Sequence, residues 1–423
     1  MLTAIVGINW GDEGKGRMVD LLSDHYNVVV RYQGGNNAGH TVVNEKGKFI
    51  LNLLPSGILR DETVNVMGPG MVIDVEHLFK EVAKLREAGI AITPEHLKIS
   101  DRATICMPYH KLLDCLEEDR LGDAKFGSTR RGISPVYADK YMKKAFRMGD
   151  LLDMDSLKKK LPAIIEWKNL TVAKGYGADP IRPEDMIAWL EEYGLPFKDY
   201  ICNTTEFLTA ADKAGKNIMF EAQLGALRDI DFGIVPYTSA SSTIAAYAPV
   251  GAGIPGRKLD HVVGIMKAYS TCVGEGPFTC ELFGEEGQKL RDAGAEYGAA
   301  TGRPRRVGGF DIPASRFGIL MQGADEVALT KLDVLSYLDK IPVCVKYDVY
   351  GKQTNVFPSS QALVDAKPIY EYVDGWKCDI SGCRTFDSLP KAAQDYIRYI
   401  EKMTECKIKY VSVGAKREEY IEL

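Results

Sequence analysis

The chain has 423 residues, a length that suits a large enzyme, and its formal net charge is −5 at pH 7. Its basic residues form no long block, so charge gives no indication that it binds nucleic acid or an anionic membrane. The nine cysteines include no CxxC pair, and no apolar run is long enough to span a membrane. This composition predicts reduced thiols in a cytoplasmic protein.

The first motif lies between a predicted buried strand at residues 2–8 and a predicted helix that reaches Leu22. A glycine-rich loop in this position can hold a phosphate, because backbone N–H groups and the helix dipole converge on one anion. The segment IVGINWGDEGKGR offers four glycines and a lysine for this purpose: Gly7, Gly11, Gly14, Gly16 and Lys15. It is not a Walker A motif, because six residues rather than four separate Gly7 from Gly14, and Gly16 replaces the usual Ser or Thr.

Asp12 and Glu13 lie inside this predicted phosphate loop. A carboxylate there would repel the ligand unless it held a metal ion or transferred a proton. The alternative is that Asp12 caps the helix that begins near Gly14, a role that suits Asp. We favour the functional role for Asp12, because the surrounding glycines and lysine are those of an anion site.

A second predicted strand, at residues 27–32, also ends in a glycine-rich segment, RYQGGNNAGHT. Two such strands indicate neighbouring strand ends, where open α/β sheets bind their ligands. Within the segment, His40 can act as an acid near neutral pH, and Asn36 and Asn37 offer both donors and acceptors.

The pair WGDEGKG and GGNNAGHT closely resembles the two signature loops of the adenylosuccinate synthetase family, and the resemblance extends over nearly the whole chain. It implies that GTP drives the ligation of IMP and L-aspartate to adenylosuccinate, the first committed step of AMP synthesis. A 6-phosphoryl-IMP intermediate, a Mg²⁺ cofactor and a homodimer are implied as well.

The same resemblance implies the catalytic residues. Asp12 is the base that removes the N1 proton of IMP, so that O6 attacks the γ-phosphorus of GTP. His40 is the acid or hydrogen-bond donor that stabilises the charge during this transfer. Mg²⁺ lies on the Asp12 carboxylate and the Gly39 carbonyl.

The segment FGSTRRGISP is either a solvated turn or an anion site, since hydroxyls and arginines suit a monophosphate. It resembles the family's IMP-phosphate loop GTTGRG, with Thr129 as the contact, although Ser128 and Arg130 replace Thr and Gly. Where the family presents an arginine to IMP across the dimer interface, this chain has Lys143, which keeps the charge but not the planar fork.

Two further IMP contacts depart from the family pattern. FEAQLG stands where the family has FEGAQG, which moves the glutamine to Gln223 and leaves open whether Gln223 or Leu224 faces IMP. Near a Pro-Tyr pair, either Thr238 or Ser239 supplies the family's hydroxyl.

The segment GAATGRPRRVGG carries three arginines among glycines, without a helical period, which favours binding of carboxylates. It resembles the family's TTGRRR aspartate loop: Thr301, Arg303 and Arg305 match, whereas Ala300 replaces the first threonine. Residues 326–332 predict a strand that ends in TKLD. This segment is similar to the guanine-reading element of GTP-binding proteins, which implies that Asp333 selects GTP over ATP. Residues 412–414 resemble the family's base-packing turn.

The resemblance implies that GTP contacts Gly11, Asp12, Glu13, Gly14, Lys15, Gly16, Gly39, His40, Thr41, Arg305, Lys331, Leu332, Asp333, Ser412, Val413 and Gly414. It implies that IMP contacts Asp12, Lys15, Asn37, Ala38, Gly39, His40, Thr129, Lys143, Gln223, Thr238, Ser239 and Arg303. It implies that L-aspartate contacts Ala299, Ala300, Thr301, Gly302, Arg303 and Arg305.

The expected fold is α/β: a large, mainly parallel central sheet with helices on both faces, in a P-loop-like GTP-binding synthetase unit spanning residues 1–423. A mostly helical insertion is expected at about residues 104–215, and further strands at residues 262–269 and 278–283. Two alternatives stay open: a regulatory GTP-binding protein, and a related synthetase acting on dGMP, whose branch lacks the aspartate seen here as Asp12.

Overall fold

The structure is a computed structural model that describes residues 1–44, 47–298, 302 and 304–423. Its strands are β1 (Leu2–Gly7), β2 (Val28–Arg31), β3 (His40–Asn44), β4 (Gly47–Leu51), β5 (Val64–Met67), β6 (Val72–Ile73), β7 (Leu97–Ser100), β8 (Thr104–Ile105), β9 (Ile201–Cys202), β10 (Ile218–Glu221), β11 (His261–Lys267), β12 (Ser270–Cys272), β13 (Arg306–Gly308), β14 (Phe310–Asp311), β15 (Glu326–Thr330), β16 (Lys340–Val349), β17 (Lys352–Thr354), β18 (Lys367–Asp374), β19 (Lys407–Ser412) and β20 (Tyr420–Glu422). Its α-helices are α1 (Lys15–Leu22), α2 (Val75–Glu87), α3 (Pro108–Leu121), α4 (Ile133–Tyr141), α5 (Met154–Asn169), α6 (Pro183–Trp189), α7 (Thr204–Lys213), α8 (Ala248–Ala252), α9 (Gly284–Ala293), α10 (Ile312–Gln322), α11 (Ser360–Asp365) and α12 (Lys391–Thr404).

Ten strands form the central sheet, in the order β20-β19-β15-β11-β1-β10-β2-β5-β7-β9. Every neighbouring pair is parallel except β19 and β20, which pair antiparallel at one edge. The middle strand β1 has the sequence LTAIVG and is buried throughout, as expected of a parallel strand covered on both faces. The predicted mainly parallel α/β fold is therefore confirmed.

Helices cover both faces of this sheet. Along β1, Ala4 and Val6 enter an apolar cluster that includes Leu208 of α7. The intervening Ile5 enters a different cluster, which includes Val19 of α1. Because successive side chains of a strand point to opposite faces, α1 and α7 must lie on opposite sides of the sheet.

The parallel pairing gathers the predicted functional loops at one edge. Ile5 of β1, Glu221 of β10 and Arg31 of β2 are in register across three adjacent strands. The loops that follow these strands therefore leave the sheet side by side, together with the loops that follow β11 and β15. Open α/β sheets bind ligands at this carboxyl edge.

Smaller sheets frame the same edge. The β3–β4 hairpin begins at His40, and the segment with three arginines leads into β13, which starts at Arg306 and pairs with β12. A further sheet joins β14, β17 and β18 around the long strand β16. Helices α3 to α7 and the short strand β9 lie between β8 and β10 in the chain.

One predicted strand is wrong. Residues 278–283 form no strand; Glu281 makes a single isolated bridge to Gly308. Phe278 and Cys280 of this segment are buried for other reasons, since Phe278 packs edge-on against Trp10 and the Cys280 carbonyl accepts the hydroxyl of Tyr370. Helix α2 has Asp74 as its N-cap, and the Asp74 side chain accepts the His77 amide. Among the described residues, no helix is long and apolar enough to cross a membrane.

Candidate active site

The loop after β1 has three residues whose backbone lies in the left-handed region. Gly11, Asp12 and Gly14 have φ angles of 102°, 59° and 97°, and Asp is one of the few non-glycine residues that tolerates such an angle. Gly14 is the N-cap of α1, without a side-chain cap. The alternative that Asp12 caps this helix is therefore wrong, and its carboxylate stays available at the mouth of the loop.

Glu13 turns inward and supports the loop from inside. Its Oε1 accepts the N–H groups of Asn9 and Gly11 at 3.1 and 2.8 Å, and its Oε2 pairs with the Lys15 ammonium at 2.6 Å. A Cβ at Gly7 would come within 2.7 Å of this carboxylate. Of the two acidic residues in the predicted phosphate loop, Glu13 therefore shapes it and Asp12 faces the ligand edge.

His40 lies against α1 because the helix has a glycine at the point of contact. A Cβ at Gly16 would lie 2.7 Å from the Cβ of His40. The Ser or Thr that follows the lysine in a Walker A motif would therefore displace His40. This steric requirement explains the departure from that motif.

His40 and Glu221 form a buried pair. The Nδ1 atom of His40 contacts Oε1 of Glu221, whose carboxylate also accepts the Ser56 amide at 2.7 Å and the Ser56 hydroxyl at 2.6 Å. Burial lowers the pKa of His40 below its ordinary value. The other ring nitrogen, Nε2, is buried and has no hydrogen-bond partner within the described ranges. The imidazole is thus held at one nitrogen and open at the other.

Arg305 connects the segment with three arginines to Asp12. Its Nε lies 3.2 Å from Oδ2 of Asp12, and its Nη1 donates to Glu296 at 2.7 Å. Beside it opens a cavity of about 80 Å³, lined by Cys272, Val273, Gly274, Gly298, Pro304, Arg305 and Arg306. The predicted aspartate contacts Ala299, Ala300, Thr301 and Arg303 lie outside the described residues. Gly302 is described and has a φ of 65°.

The predicted guanine-reading segment adjoins the phosphate loop. Thr330 donates its hydroxyl to the Glu13 carbonyl at 2.7 Å, which ties the end of β15 to that loop. Burial raises the pKa of Asp333, and its Oδ1 is buried without a hydrogen-bond partner in the part of the chain that is described. Such an unmatched oxygen is rare in a folded protein and is typical of a ligand contact.

Arg17 brings the C-terminal turn to the same place. Its Nη1 donates to the Ser412 hydroxyl at 2.6 Å and to the Gly414 carbonyl at 2.5 Å. The side chain belongs to α1, so the turn at residues 412–414 lies against the helix that starts at the phosphate loop. Lys331, by contrast, directs its ammonium to Glu296 and the Gly294 carbonyl, both at 2.8 Å.

The shifted glutamine reaches the second glycine-rich loop. Gln223 donates through Nε2 to the Gly35 carbonyl at 2.8 Å, while its Oε1 is buried and unpartnered among the described residues. Leu224 has a φ of 65° and lies over Gly11, where a Cβ would be 3.3 Å from the Leu224 Cα. In this structure Gln223 faces the second loop and Leu224 the first.

Three other predicted IMP contacts, Thr129, Ser239 and Lys143, have different surroundings. Asp114 holds the loop at residues 126–132 through Ser128 and Gly132, at 2.6 and 2.8 Å, and Thr129 is exposed. Ser239 is buried and its hydroxyl lies 3.0 Å from that of Ser241. Lys143 is exposed just beyond α4, and within the described chain its side chain has no hydrogen bond or ion pair.

Two acidic residues in these contacts were not singled out from the sequence. Glu221 ends a buried strand, and Glu296 precedes the segment with three arginines. A buried carboxylate needs cationic or donor partners, so an acidic residue at the end of an apolar strand is a signal that could have found Glu221. Glu296 has no such signal, since its partners lie on three separate segments.

The sequence is similar to that of a known protein family over nearly its whole length. The adenylosuccinate synthetase family model matches residues 4–421. Adenylosuccinate synthetase 2 of Pseudoalteromonas translucida is 46% identical over 419 residues, covering 99% of this chain and 98% of that protein. The adenylosuccinate synthetase of Lactococcus lactis subsp. lactis is 43% identical over 417 residues, covering 98% and 96%.

Solved structures agree as well. The fully ligated adenylosuccinate synthetase of Plasmodium falciparum superposes with a TM-score of 0.93 at 36% identity, covering 100% of this chain and 99% of that one. A cyanophage S-2L succinoaminodeoxyadenylate synthetase bound to dGMP and dATP has a TM-score of 0.63 at 20% identity, covering 100% and 95%, and shares the fold alone. The chain therefore belongs to the adenylosuccinate synthetase family, the GTP-dependent ligases that use IMP and L-aspartate as substrates.

Proposed function

We propose that this protein uses Asp12 as the base and His40 as the charge-stabilising acid in the GTP-dependent ligation of IMP and L-aspartate. The observation that carries this assignment is that the loops after β1 and β2 leave the same edge of the sheet. They bring there an outward carboxylate and an imidazole whose Nε2 is buried and unpartnered among the described residues. A base and an acid facing one cleft suit a proton removal coupled to a phosphoryl transfer.

The proposed reaction has two steps. In the first, the Asp12 carboxylate takes the N1 proton of IMP, O6 attacks the γ-phosphorus of GTP, and GDP leaves with the electron pair of the broken P–O bond. In the second, the amine of L-aspartate attacks C6 and the phosphate on O6 leaves, which gives adenylosuccinate and inorganic phosphate. His40, held at Nδ1 by Glu221, directs Nε2 at the transferring group.

For GTP, we propose that the backbone of residues 11–16 binds the phosphates and that Asp333 accepts from guanine. Within the described chain, Oδ1 of Asp333 is buried and has no hydrogen-bond partner, which supports this role. The turn at residues 412–414 lies next to α1 through Arg17 and can pack on the base.

The residues present fit a Mg²⁺ ion shared with the nucleotide. Mg²⁺ commonly takes one or two carboxylates and completes its shell with phosphate oxygens and water. Asp12 has an outward carboxylate with 31% of its side chain exposed, and Gly39 is exposed in the neighbouring loop. Asp12 and the Gly39 carbonyl would hold the ion, which when bound offsets the charge of the transferring phosphoryl group.

For the other substrates, we propose that Gln223, Ser239 and Thr129 contact IMP and that Arg305 contacts L-aspartate. We also propose a homodimer in which Lys143 reaches IMP of the other protomer. Tyr141 and Met142, which precede Lys143, have 77% and 55% of their surface exposed, and adjoining exposed apolar side chains are typical of an interface.

A coupled assay tests the proposal. We expect phosphate release only when GTP, IMP and L-aspartate are all present, with ATP and dGMP serving as poor replacements for GTP and IMP. Asp12→Asn keeps a residue that tolerates the left-handed backbone but removes the base, so it should abolish turnover while preserving the melting temperature. Phosphate release from GTP without IMP and L-aspartate would favour a regulatory GTP-binding protein. Near-full activity of Asp12→Asn would disprove the assigned role.

A further inference from the structure

A completely buried carboxylate, that of Glu296, connects three loops of the site. Its Oε1 accepts from the ammonium groups of Lys267 and Lys331 at 2.9 and 2.8 Å and from the Tyr269 hydroxyl at 2.5 Å. Its Oε2 accepts from Arg305 at 2.7 Å. Burial favours the neutral acid, but the ammonium groups of Lys267 and Lys331 hold the pKa of Glu296 well below its ordinary value.

These partners belong to different parts of the site. Lys267 ends the central strand β11, and Lys331 follows β15 in the TKLD segment that leads to Asp333. Arg305 is the second arginine of the segment with three arginines, and its backbone N–H also donates to the Glu296 carbonyl at 2.9 Å. One carboxylate therefore binds the guanine side of the site through one oxygen and the aspartate side through the other.

The connection extends to the catalytic base. Arg305 uses Nη1 for Glu296 and places Nε 3.2 Å from Asp12. A shift of the Glu296 carboxylate would therefore move the guanidinium that neutralises Asp12. Because Glu296 itself has no exposed surface, it can act on the ligands only through these neighbours.

We propose that Glu296 is a positioning residue that couples binding of the guanine nucleotide to binding of L-aspartate. A nucleotide that immobilises Lys331 also immobilises the Glu296 carboxylate, which holds Arg305. Binding of L-aspartate then has a smaller entropy cost, because Arg305 is already ordered. The coupling is positive, and by linkage each ligand tightens the other by the same factor. The inference rests on the proposed function, because it takes Lys331 to the nucleotide and Arg305 to L-aspartate.

The test uses GDP, which cannot transfer a phosphoryl group, and measures its dissociation constant by calorimetry with IMP present, with and without saturating L-aspartate. We expect L-aspartate to tighten GDP binding at least about fivefold in the unmodified protein, within the usual range of coupling between sites. In Glu296→Gln, which keeps the shape and loses the charge, the ratio should fall to about 1.

Glu281→Gln is the matched control. Glu281 pairs with Arg306, one residue after Arg305, at 2.9 and 2.5 Å. The substitution therefore removes an ion pair of a neighbouring arginine in the same segment. This variant should keep the coupling ratio of the unmodified protein. Lys331→Met removes the ion pair with Glu296 by changing its more exposed partner. This variant should also abolish the coupling, and it tests the proposal if Glu296→Gln does not fold.

The outcomes separate the two proposals. A coupling ratio of 1 in the unmodified protein, or a preserved ratio in Glu296→Gln or Lys331→Met, would overturn the role of Glu296. Failure of the unmodified protein to form adenylosuccinate would instead overturn the proposed function, whatever the binding ratios.

Discussion

Glu221 places a fully buried carboxylate against Nδ1 of His40, 181 residues earlier in the chain. This contact fixes the ring so that Nε2 points away from Glu221. The carboxylate also favours a proton on Nδ1 and stabilises positive charge on the ring. Glu221 is therefore the residue through which the protein orients its proposed acid.

We expect Glu221→Gln to lower kcat by roughly 10²-fold, at the lower end of what general acid catalysis contributes. The amide keeps the volume and a hydrogen bond to His40 but removes the charge, so the KM values for GTP and IMP should change little. Ser56→Ala is the control: it removes one 2.6 Å bond to Glu221 and leaves the charge and the backbone bond in place. Equal losses of kcat in both variants would show that the charge is unimportant.

Subunit complementation tests whether Lys143 acts across a dimer. Lys143→Ala and Asp12→Asn homodimers should each be inactive, because every site lacks one essential group. In a hybrid dimer, one site combines an intact Asp12 with an intact Lys143. Since half of the dimers in an equal mixture are hybrids, activity should recover to about a quarter of the unmodified level. Inactive mixtures that demonstrably contain hybrids would place Lys143 outside the site.

Much of the fold could be predicted because its signals are local. The strand β1, the helix α1 and the TKLD segment each occupy a few consecutive residues with a clear apolar or glycine pattern. The failed strand at residues 278–283 had the right apolar residues, but their partners, Trp10 and Tyr370, lie far away in the chain. Apolar residues alone do not show where backbone hydrogen bonds go.

The site was predictable only in part for the same reason. The motif WGDEGKG indicates an anion loop with two carboxylates, but not that Glu13 turns inward to Lys15 while Asp12 turns outward. That division depends on the left-handed backbone at Asp12 and on the space left by Gly7. The sequence does not indicate Glu296, because its partners Lys267, Lys331 and Arg305 come from the end of β11, the residue after β15 and the segment with three arginines. Only the folded sheet brings these parts of the chain together.

A buried histidine outside the site should make stability depend on pH. His110 is completely buried, accepts the Met107 N–H through Nδ1 and lies 2.9 Å from Asp139 through Nε2. Burial lowers the pKa of His110, so the unfolded chain binds a proton more readily than the folded one. As pH falls below the unfolded pKa of about 6.5, protonation therefore favours unfolding and stability is lost.

We expect the melting temperature of the unmodified protein to fall from about pH 7.5 to about pH 5.5, and to fall less in His110→Asn. Asparagine cannot titrate but can still accept the Met107 N–H. The control His25→Asn changes an exposed histidine and should keep the full dependence. An identical dependence in His110→Asn and the unmodified protein would show that His110 does not contribute.

We expect the choice of nucleotide to depend on Asp333. Its Oδ1 is buried and, within the described chain, unpartnered, so a ligand that donates two hydrogens from its base edge would satisfy it. Guanine has such donors at N1 and the 2-amino group, whereas adenine lacks them. A mismatched edge leaves the carboxylate unsatisfied at a cost of roughly 1–3 kcal/mol, which corresponds to about a 5- to 150-fold preference for GTP over ATP.

The variant Asp333→Asn tests whether Asp333 itself recognises guanine or whether the TKLD segment only supports nucleotide binding in general. The amide puts a donor against the guanine donors but still offers both an oxygen and a nitrogen to the altered pairing edge of xanthine. We therefore expect the KM for GTP to rise, that for XTP to fall, and that for IMP to stay nearly constant. Asp339→Asn, a nearby exposed residue paired with Lys377, should change none of the three. If the GTP/XTP preference of Asp333→Asn matched that of the unmodified protein, guanine would have to be read elsewhere, and the unmatched oxygen of Asp333 would need another ligand.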